Sequence, residues 1–235
     1  MRPIERADAA QPLSLNGITV QRTHRGGVAV RTLNIEELII PAGAKIGLAG
    51  PSGAGKTTLL DVASGLLAPT SGLVMWGGLR LSELSPAACG RWRHHMVGFV
   101  FQDFYLIPEL TVLDNILLPV WFGAFRAPTA LRQKAENFVD RLRLPNGRRL
   151  AGVLSRGEQQ RVAIARALMF DAALLIADEP TASLDAATGR AIADLLLCEA
   201  TQRNATLIVA THDETLLDRL DNVIQMNAGE IRSFV

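Results

Sequence analysis

The eight residues GPSGAGKT, Gly50 to Thr57, constrain this chain more than any other stretch. They follow the strand-like AKIGLA and precede the helix-like TTLLDVASGLL, so the chain must leave a strand, turn through glycine-rich backbone and restart as a helix. The run from Gly50 through Pro51, Ser52, Gly53, Ala54 and Gly55 to Lys56, Thr57 and Thr58 reads as a phosphate cradle. Its glycines let backbone wrap closely around phosphate oxygens, and loop N–H groups and the helix N-terminus favour negative charge. Lys56 is placed to reach the outer phosphates of a nucleoside triphosphate, and the Thr57 hydroxyl to ligate magnesium. A glycine-rich turn with an incidental lysine is the plainer reading, but it does not account for the strand and helix on either side.

A second run, ALLIADEP, ends an apolar strand with two carboxylates, Asp178 and Glu179. A buried strand ending in charge delivers a carboxylate to the carboxyl edge of a sheet, where α/β proteins bind ligands. Asp178 is expected to hold magnesium, through water or the Thr57 hydroxyl, and Glu179 to activate a water for attack on the γ-phosphate. Taken alone, the pair could equally be a solvated strand end; the upstream phosphate loop favours the site.

The runs GVAVRTLNIEELII, AKIGLAG, VGFVFQ, ALLIAD and ATLIVATH read as strands, several followed by helix-like stretches. That alternation predicts an α/β fold with a mainly parallel sheet. Between about residues 103 and 160 the pattern changes, and TALRQKAENFVDRLRL places Leu131, Ala135, Phe138 and Leu142 on one helical face, which predicts a helical insertion with its own core. A net charge of +1 without a long basic run argues against a nucleic-acid partner. Cys89 and Cys198 have no metal-ligand spacing and fit a reducing cytosol. The N-terminal MRPIERADAAQPLSLNG lacks the apolar core of a signal peptide, and ILLPVWFGAF, broken by Pro119 and Gly123, is about half the roughly 20 residues a membrane-spanning helix needs.

Beyond these two runs, FVFQDF around Gln102, LSRGEQQR at 154 to 161, SLD at Ser183 to Asp185 and VATHD around His212 follow in a set order. In that order the chain resembles the ATP-binding cassette (ABC) ATPases, from about residue 13 to the end, with residues 1–12 as a tail. GPSGAGKT matches the family's Walker A, Gln102 its Q-loop, LSRGEQQR its signature, LLIADE its Walker B, SLD its D-loop and His212 its switch histidine. The resemblance implies a P-loop NTPase fold: a RecA-like core and N-terminal antiparallel β subdomain over about 13–102 and 161–235, and a helical subdomain over about 103–160. It implies ATP hydrolysis with magnesium, Glu179 as base, His212 steadying the γ-phosphate and the attacking water, and Gln102 sensing γ-phosphate and magnesium. It further implies a head-to-tail dimer with a second cassette of the same kind. In that dimer Ser155 and the Gly157 N–H, with Glu158 and Asp185 nearby, would meet nucleotide held by the other subunit. Transmembrane permease subunits would be the other partners, and the location the cytoplasmic face of the inner membrane.

VFQDFYLIPELTVLDNILLP and SRGEQQRVAIARAL look most like the LolD-like, MacB-like and FtsE-like subgroup of lipoprotein-release, macrolide-export and cell-division ATPases. The resemblance leans toward export or mechanical transmission to an extracytoplasmic device. An alternative is a regulatory ATPase signalling through a membrane partner without transport. Soluble ABC ATPases of DNA repair or translation fit less well, because this is one compact cassette without a basic patch.

Two positions depart from the family pattern. Where an adenine-stacking aromatic is usual, VQRTHRGG offers only Thr23 or His24, and the smaller imidazole would stack less extensively. Arg156 stands where the signature has glycine. The arginine could point outward from an ordinary helix start, reach phosphate or an acidic residue of the other subunit, or abolish activity if a glycine-only conformation is required. Finally, Trp121, Phe122 and Phe125 either form a groove for a permease helix or pack inside the helical insertion.

Overall fold

A computed structural model describes residues 11–23, 29–122, 127–182 and 184–234. The chain runs β1 (Leu13–Thr23), β2 (Ala29–Ile40), β3 (Lys45–Ala49), α1 (Lys56–Ala63), β4 (Ser71–Trp76), β5 (Leu79–Arg80), α2 (Pro86–Met96), β6 (Val97–Val100) and α3 (Val112–Trp121). It continues with α4 (Thr129–Arg141), α5 (Arg156–Ala167), β7 (Leu174–Asp178), α6 (Ala186–Arg203), β8 (Thr206–Ala210), α7 (Glu214–Leu217), β9 (Asn222–Asn227) and β10 (Glu230–Phe234).

Among the described residues these strands form two sheets. One is antiparallel, in the order β2-β1-β4-β5; the other has the order β10-β9-β3-β8-β7-β6 and is parallel except for its β10 edge. The expected α/β fold with a parallel core and an N-terminal antiparallel sheet is therefore present. β7 and β8 are buried along their whole length, as strands covered on both faces must be. Their side chains alternate between two cores with the period of a strand. Leu174, Ile176, Ile208 and Ala210 pack toward α1 and the antiparallel sheet, and Leu175, Ala177, Leu207 and Val209 toward the helices of the other face.

The helical insertion is present as α3 and α4 followed by α5. On α4, Ala135 and Phe138 are buried with Leu142 just beyond it, and Leu131 packs partly against the same core. The expected boundary near residue 160 falls inside α5, which runs unbroken from Arg156 to Ala167 and packs against the sheet at its far end. A Cβ on Gly98 of β6 would come within 2.5 Å of the Ala167 carbonyl. One continuous helix thus runs across that expected boundary. Among the described residues no helix is long and apolar enough to cross a membrane.

Candidate active site

Spatial strand order builds the site. Because β8 lies between β3 and β7, with β6 beyond, the loops at the carboxyl ends of β3, β8, β7 and β6 come to lie side by side in that order. They bring Lys56, His212, Glu179 and Gln102 to one cavity of about 570 Å³, which Ser52, Gly53, Ala54, Thr57, Asp178 and Asp213 also line.

Inside it the polar groups are mutually engaged. Lys56, buried at the first position of α1, donates from Nζ to the Gly50 carbonyl at 2.6 Å and the Pro51 carbonyl at 3.3 Å. Its Nζ also lies 3.3 Å from His212 Nε2, and that same nitrogen lies 3.3 Å from Glu179 Oε1. A neutral imidazole nitrogen cannot accept from the lysine and donate to the carboxylate at once, so the tautomer decides which contact is a hydrogen bond. Glu179 is held by its backbone: φ is 47°, in the left-handed region, and its N–H donates to the Ala210 carbonyl at the end of β8.

Thr57 Oγ1 donates to Asp178 Oδ2 at 2.8 Å. Burial pushes the Asp178 carboxyl above the usual carboxylate range, opposed by the Thr57 hydroxyl and the Lys56 charge. A hydroxyl beside a carboxylate is a hard-oxygen pair suited to magnesium, and Gln102 lines the same cavity. Among the described residues no group of three His, Cys, Asp or Glu could hold a metal by itself, so phosphate and water oxygens would have to complete the shell.

The loop glycines have different reasons to be glycine. Gly53 adopts φ 78° with open space around it, whereas Gly50, at φ 143°, has the Met226 carbonyl oxygen 2.2 Å from where a Cβ would stand. Gly50, Pro51 and Gly55 do not line the phosphate cavity. Gly50 and Pro51 instead present carbonyls to Lys56 and border a neighbouring cavity of about 530 Å³ beside Glu214. The Thr58 side chain is buried.

The signature residues lie elsewhere. Ser155 and Glu158 form a reciprocal cap on α5: the Ser155 N–H donates to Glu158 Oε2 at 2.7 Å, and the Glu158 N–H to Ser155 Oγ at 3.4 Å. The Ser155 N–H foremost, with the nearby Arg149 and Arg161 charges, holds the Glu158 carboxyl below its ordinary range. Asp185 likewise caps α6 and receives the Thr188 hydroxyl at 2.6 Å. None of Ser155, Gly157, Glu158 or Asp185 lines the phosphate cavity of its own chain. Gly157 is small for a reason inside the chain, since a Cβ there would meet Thr188 Cγ2 of α6 at 2.8 Å.

Arg156 is the first residue of α5 and is not among the residues with positive φ, so no glycine-only conformation is required there. Its guanidinium carbon lies 5.9 Å from the centre of the Phe104 ring. Sequence reasoning also missed Arg166, which donates from Nη1 to the Tyr105 carbonyl at 2.6 Å and from Nη2 to that of Phe104. Burial lowers its pKa to about 10, leaving it charged at neutral pH. Nothing in AIARAL distinguishes this arginine from a solvated helix residue. Asp213 was missed as well, although it follows His212 directly; it accepts from Thr181 Oγ1 at 3.1 Å and caps α7. His24, Phe125 and Ser183 lie outside the described residues.

Trp121 and Phe122 are 38% and 80% exposed, so neither is packed inside the helical core. Phe122 borders a groove of about 870 Å³ with Pro119, His94, Phe101, Arg166 and Phe170.

A phosphate loop, a carboxylate pair at a strand end and a histidine set between them on a parallel sheet define a P-loop nucleoside-triphosphatase. A family model described as ABC transporter matches residues 33–182, and the chain belongs to the ABC transporter ATP-binding family. It is 39% identical over 209 residues to the lipoprotein-releasing system ATP-binding protein LolD of Pseudomonas fluorescens, covering 88% of this chain and 91% of that one. LolD of Legionella pneumophila (strain Lens) is 36% identical over the same length, with 88% and 92% covered. Among solved structures, the dimeric post-hydrolysis state of the cassette MJ0796 bound to ADP and Pi matches with a TM-score of 0.87 at 33% identity, over 95% of this chain and 97% of that one. The chain is an ABC-type ATPase.

Proposed function

We propose that this ATPase drives a membrane permease of the lipoprotein-release or mechanotransmission kind, as a dimer closed around two ATP molecules at the cytoplasmic face of the inner membrane. The likeness to LolD proteins over most of the chain supports the transporter class. The observation that carries the catalytic reading is the row Lys56, His212 and Glu179, linked by contacts of 3.3 Å beside the Thr57–Asp178 pair.

In this reading Lys56 exchanges a loop carbonyl for a terminal phosphate oxygen of ATP. Once the lysine turns to phosphate, His212 Nε2 is free to carry a proton toward the γ-phosphate or Glu179. Glu179, anchored by its backbone at the edge of the cavity, accepts the proton of the attacking water. Thr57, Asp178 and Gln102 would hold magnesium, which when bound neutralises charge on the β- and γ-phosphates. The signature of a second copy, Ser155 and Gly157 foremost, would complete the nucleotide contacts from outside; two features support this. Ser155 and Glu158 satisfy each other while neither they nor Gly157 line the phosphate cavity of their own chain, and the solved relative MJ0796 is a dimer. The groove beside Phe122 is the place for a permease helix.

The test is Glu179→Gln with ATP hydrolysis and light scattering read together. Turnover is expected to fall about 100-fold or more while an ATP-bound dimer accumulates. Unchanged turnover would remove Glu179 from the base role.

A further inference from the structure

The residues that follow Gln102 take an unusual path. Phe104 and Tyr105 have φ of 59° and 45°, two successive non-glycine residues in the left-handed region. Such a step is unfavourable for L-residues and persists only where the surroundings over-determine it. Local bonds are sparse here: the Phe104 N–H donates to the Phe101 carbonyl at 3.2 Å, and the Tyr105 N–H to Asp103 at 2.6 Å. The Tyr105 ring also meets the Phe101 ring edge-on, 5.1 Å between centroids, and further polar anchors come from α5. Arg166 gives one arm of its planar fork to each of the two carbonyls, and a fork suits two adjacent acceptors in a way a lysine ammonium does not. At the opposite end of the same helix, Arg156 lies over the Phe104 ring, within cation–π range.

We propose that Arg166 is a positioning residue for ATP hydrolysis: with Arg156 it clamps the left-handed Phe104–Tyr105 step to α5 and thereby sets where Gln102 stands over the phosphate cavity. The proposal rests on the reading of that cavity as the ATPase site. It gives Arg156 a role inside its own subunit, tying the signature end of α5 to the loop that follows β6. A displacement of α5 on engagement of a second subunit therefore reaches Gln102 through two side chains. Arg166 also lines the groove beside Phe122, so an occupant of that groove would touch the same guanidinium.

The test uses strain relief. Arg166→Gln is expected to lower kcat about tenfold with KM for ATP changed less than about twofold, because the phosphate cradle itself is intact. Tyr105 is 63% exposed, so Tyr105→Gly removes one edge-on contact with the Phe101 ring while making the left-handed conformation easy, and the Tyr105→Gly protein is the reference for that loss. Added to Arg166→Gln, it is expected to restore kcat to within about threefold of the Tyr105→Gly protein. A double variant as slow as Arg166→Gln alone would overturn the clamp. Hydrogen exchange at the Phe104 and Tyr105 amides gives a readout independent of turnover, and Arg166→Lys, which keeps stem and charge, serves if the glutamine variant does not fold. Exchange at those two amides is expected to rise about tenfold or more with α5 and β7 unchanged. Exchange that rises along α5, or that rises nowhere, would reduce Arg166 to a helix anchor and overturn the proposal. Inactive wild type with a protected loop would instead count against the ATPase reading.

Discussion

The phosphate cavity and the start of α5 are both polar, both glycine-bearing and both built at a helix N-terminus, yet they differ in what they leave undone. At the cavity, Lys56, His212, Glu179, Thr57 and Asp178 come from three strand ends and meet in space, and Asp178 is buried against its own ionisation. At α5, Ser155 and Glu158 satisfy each other locally and face no cavity residue of their own chain. The first is an assembled site under electrostatic load. The second is a stable helix cap offered outward, as half of a site shared between subunits would be.

The sharpest way to break this contrast is Glu179→Gln, described above, whose loss of about 100-fold or more belongs to the cavity alone. Next is Ser155→Ala. Loss of the cap is expected to cost about 1 kcal/mol of stability, seen as a small fall in melting temperature. ATP binding to the isolated subunit should stay within about threefold, and turnover should fall about tenfold or more through lost dimer contacts. If binding to the monomer fell as far as turnover, the cap would belong to the cavity after all.

Asp178→Asn opposes function to stability. The folded pKa of this carboxyl is raised, so its destabilising effect is absent below its unfolded pKa of about 3.8 and develops as pH rises through the folded value. At pH 7 the asparagine variant is therefore expected to melt higher, by about 2–4 °C per kcal/mol regained, while magnesium-dependent hydrolysis is lost. A lower melting point would mean that the Thr57 and Lys56 contacts outweigh burial. The smallest effect is at Glu158, whose folded pKa is depressed. Its contribution is present above its unfolded pKa of about 4.5 and lost as pH falls through the folded value. Glu158→Gln should therefore flatten the acid side of the stability profile, measured by melting between about pH 3 and 6.

Several parts of this molecule were legible residue by residue. GPSGAGKT announces its strand, turn and helix because glycine conformations and a helix N-terminus are local properties, and the burial pattern of α4 follows from spacing along one helix. The strand β1 was not read from LSLNGITVQRT, nor were β4, β5, β9 and β10 from SGLVMW, LR, NVIQMN and EIRSF; the last four are short or only partly buried and owe their conformation to neighbours distant in sequence. Arg166 was invisible for a related reason. A helix arginine reads as solvated until the loop that brings Phe104 and Tyr105 against it is in place.

By itself the sequence determined which side chains stand at the ends of the strands: a lysine and threonine after one strand, two carboxylates after another, a histidine after a third. Their types and local turns are set by short-range backbone preference and strand or helix period. The tertiary structure alone decided who stands beside whom. In the chain β7 precedes β8, but in the sheet β8 lies between β3 and β7, and that exchange of order places His212 between Lys56 and Glu179. The same holds for Arg156, whose partner proves to be the Phe104 ring. Neighbour order in a parallel sheet is fixed by the burial of both faces of every central strand under its crossover helices, a sum over the whole domain that no local stretch records.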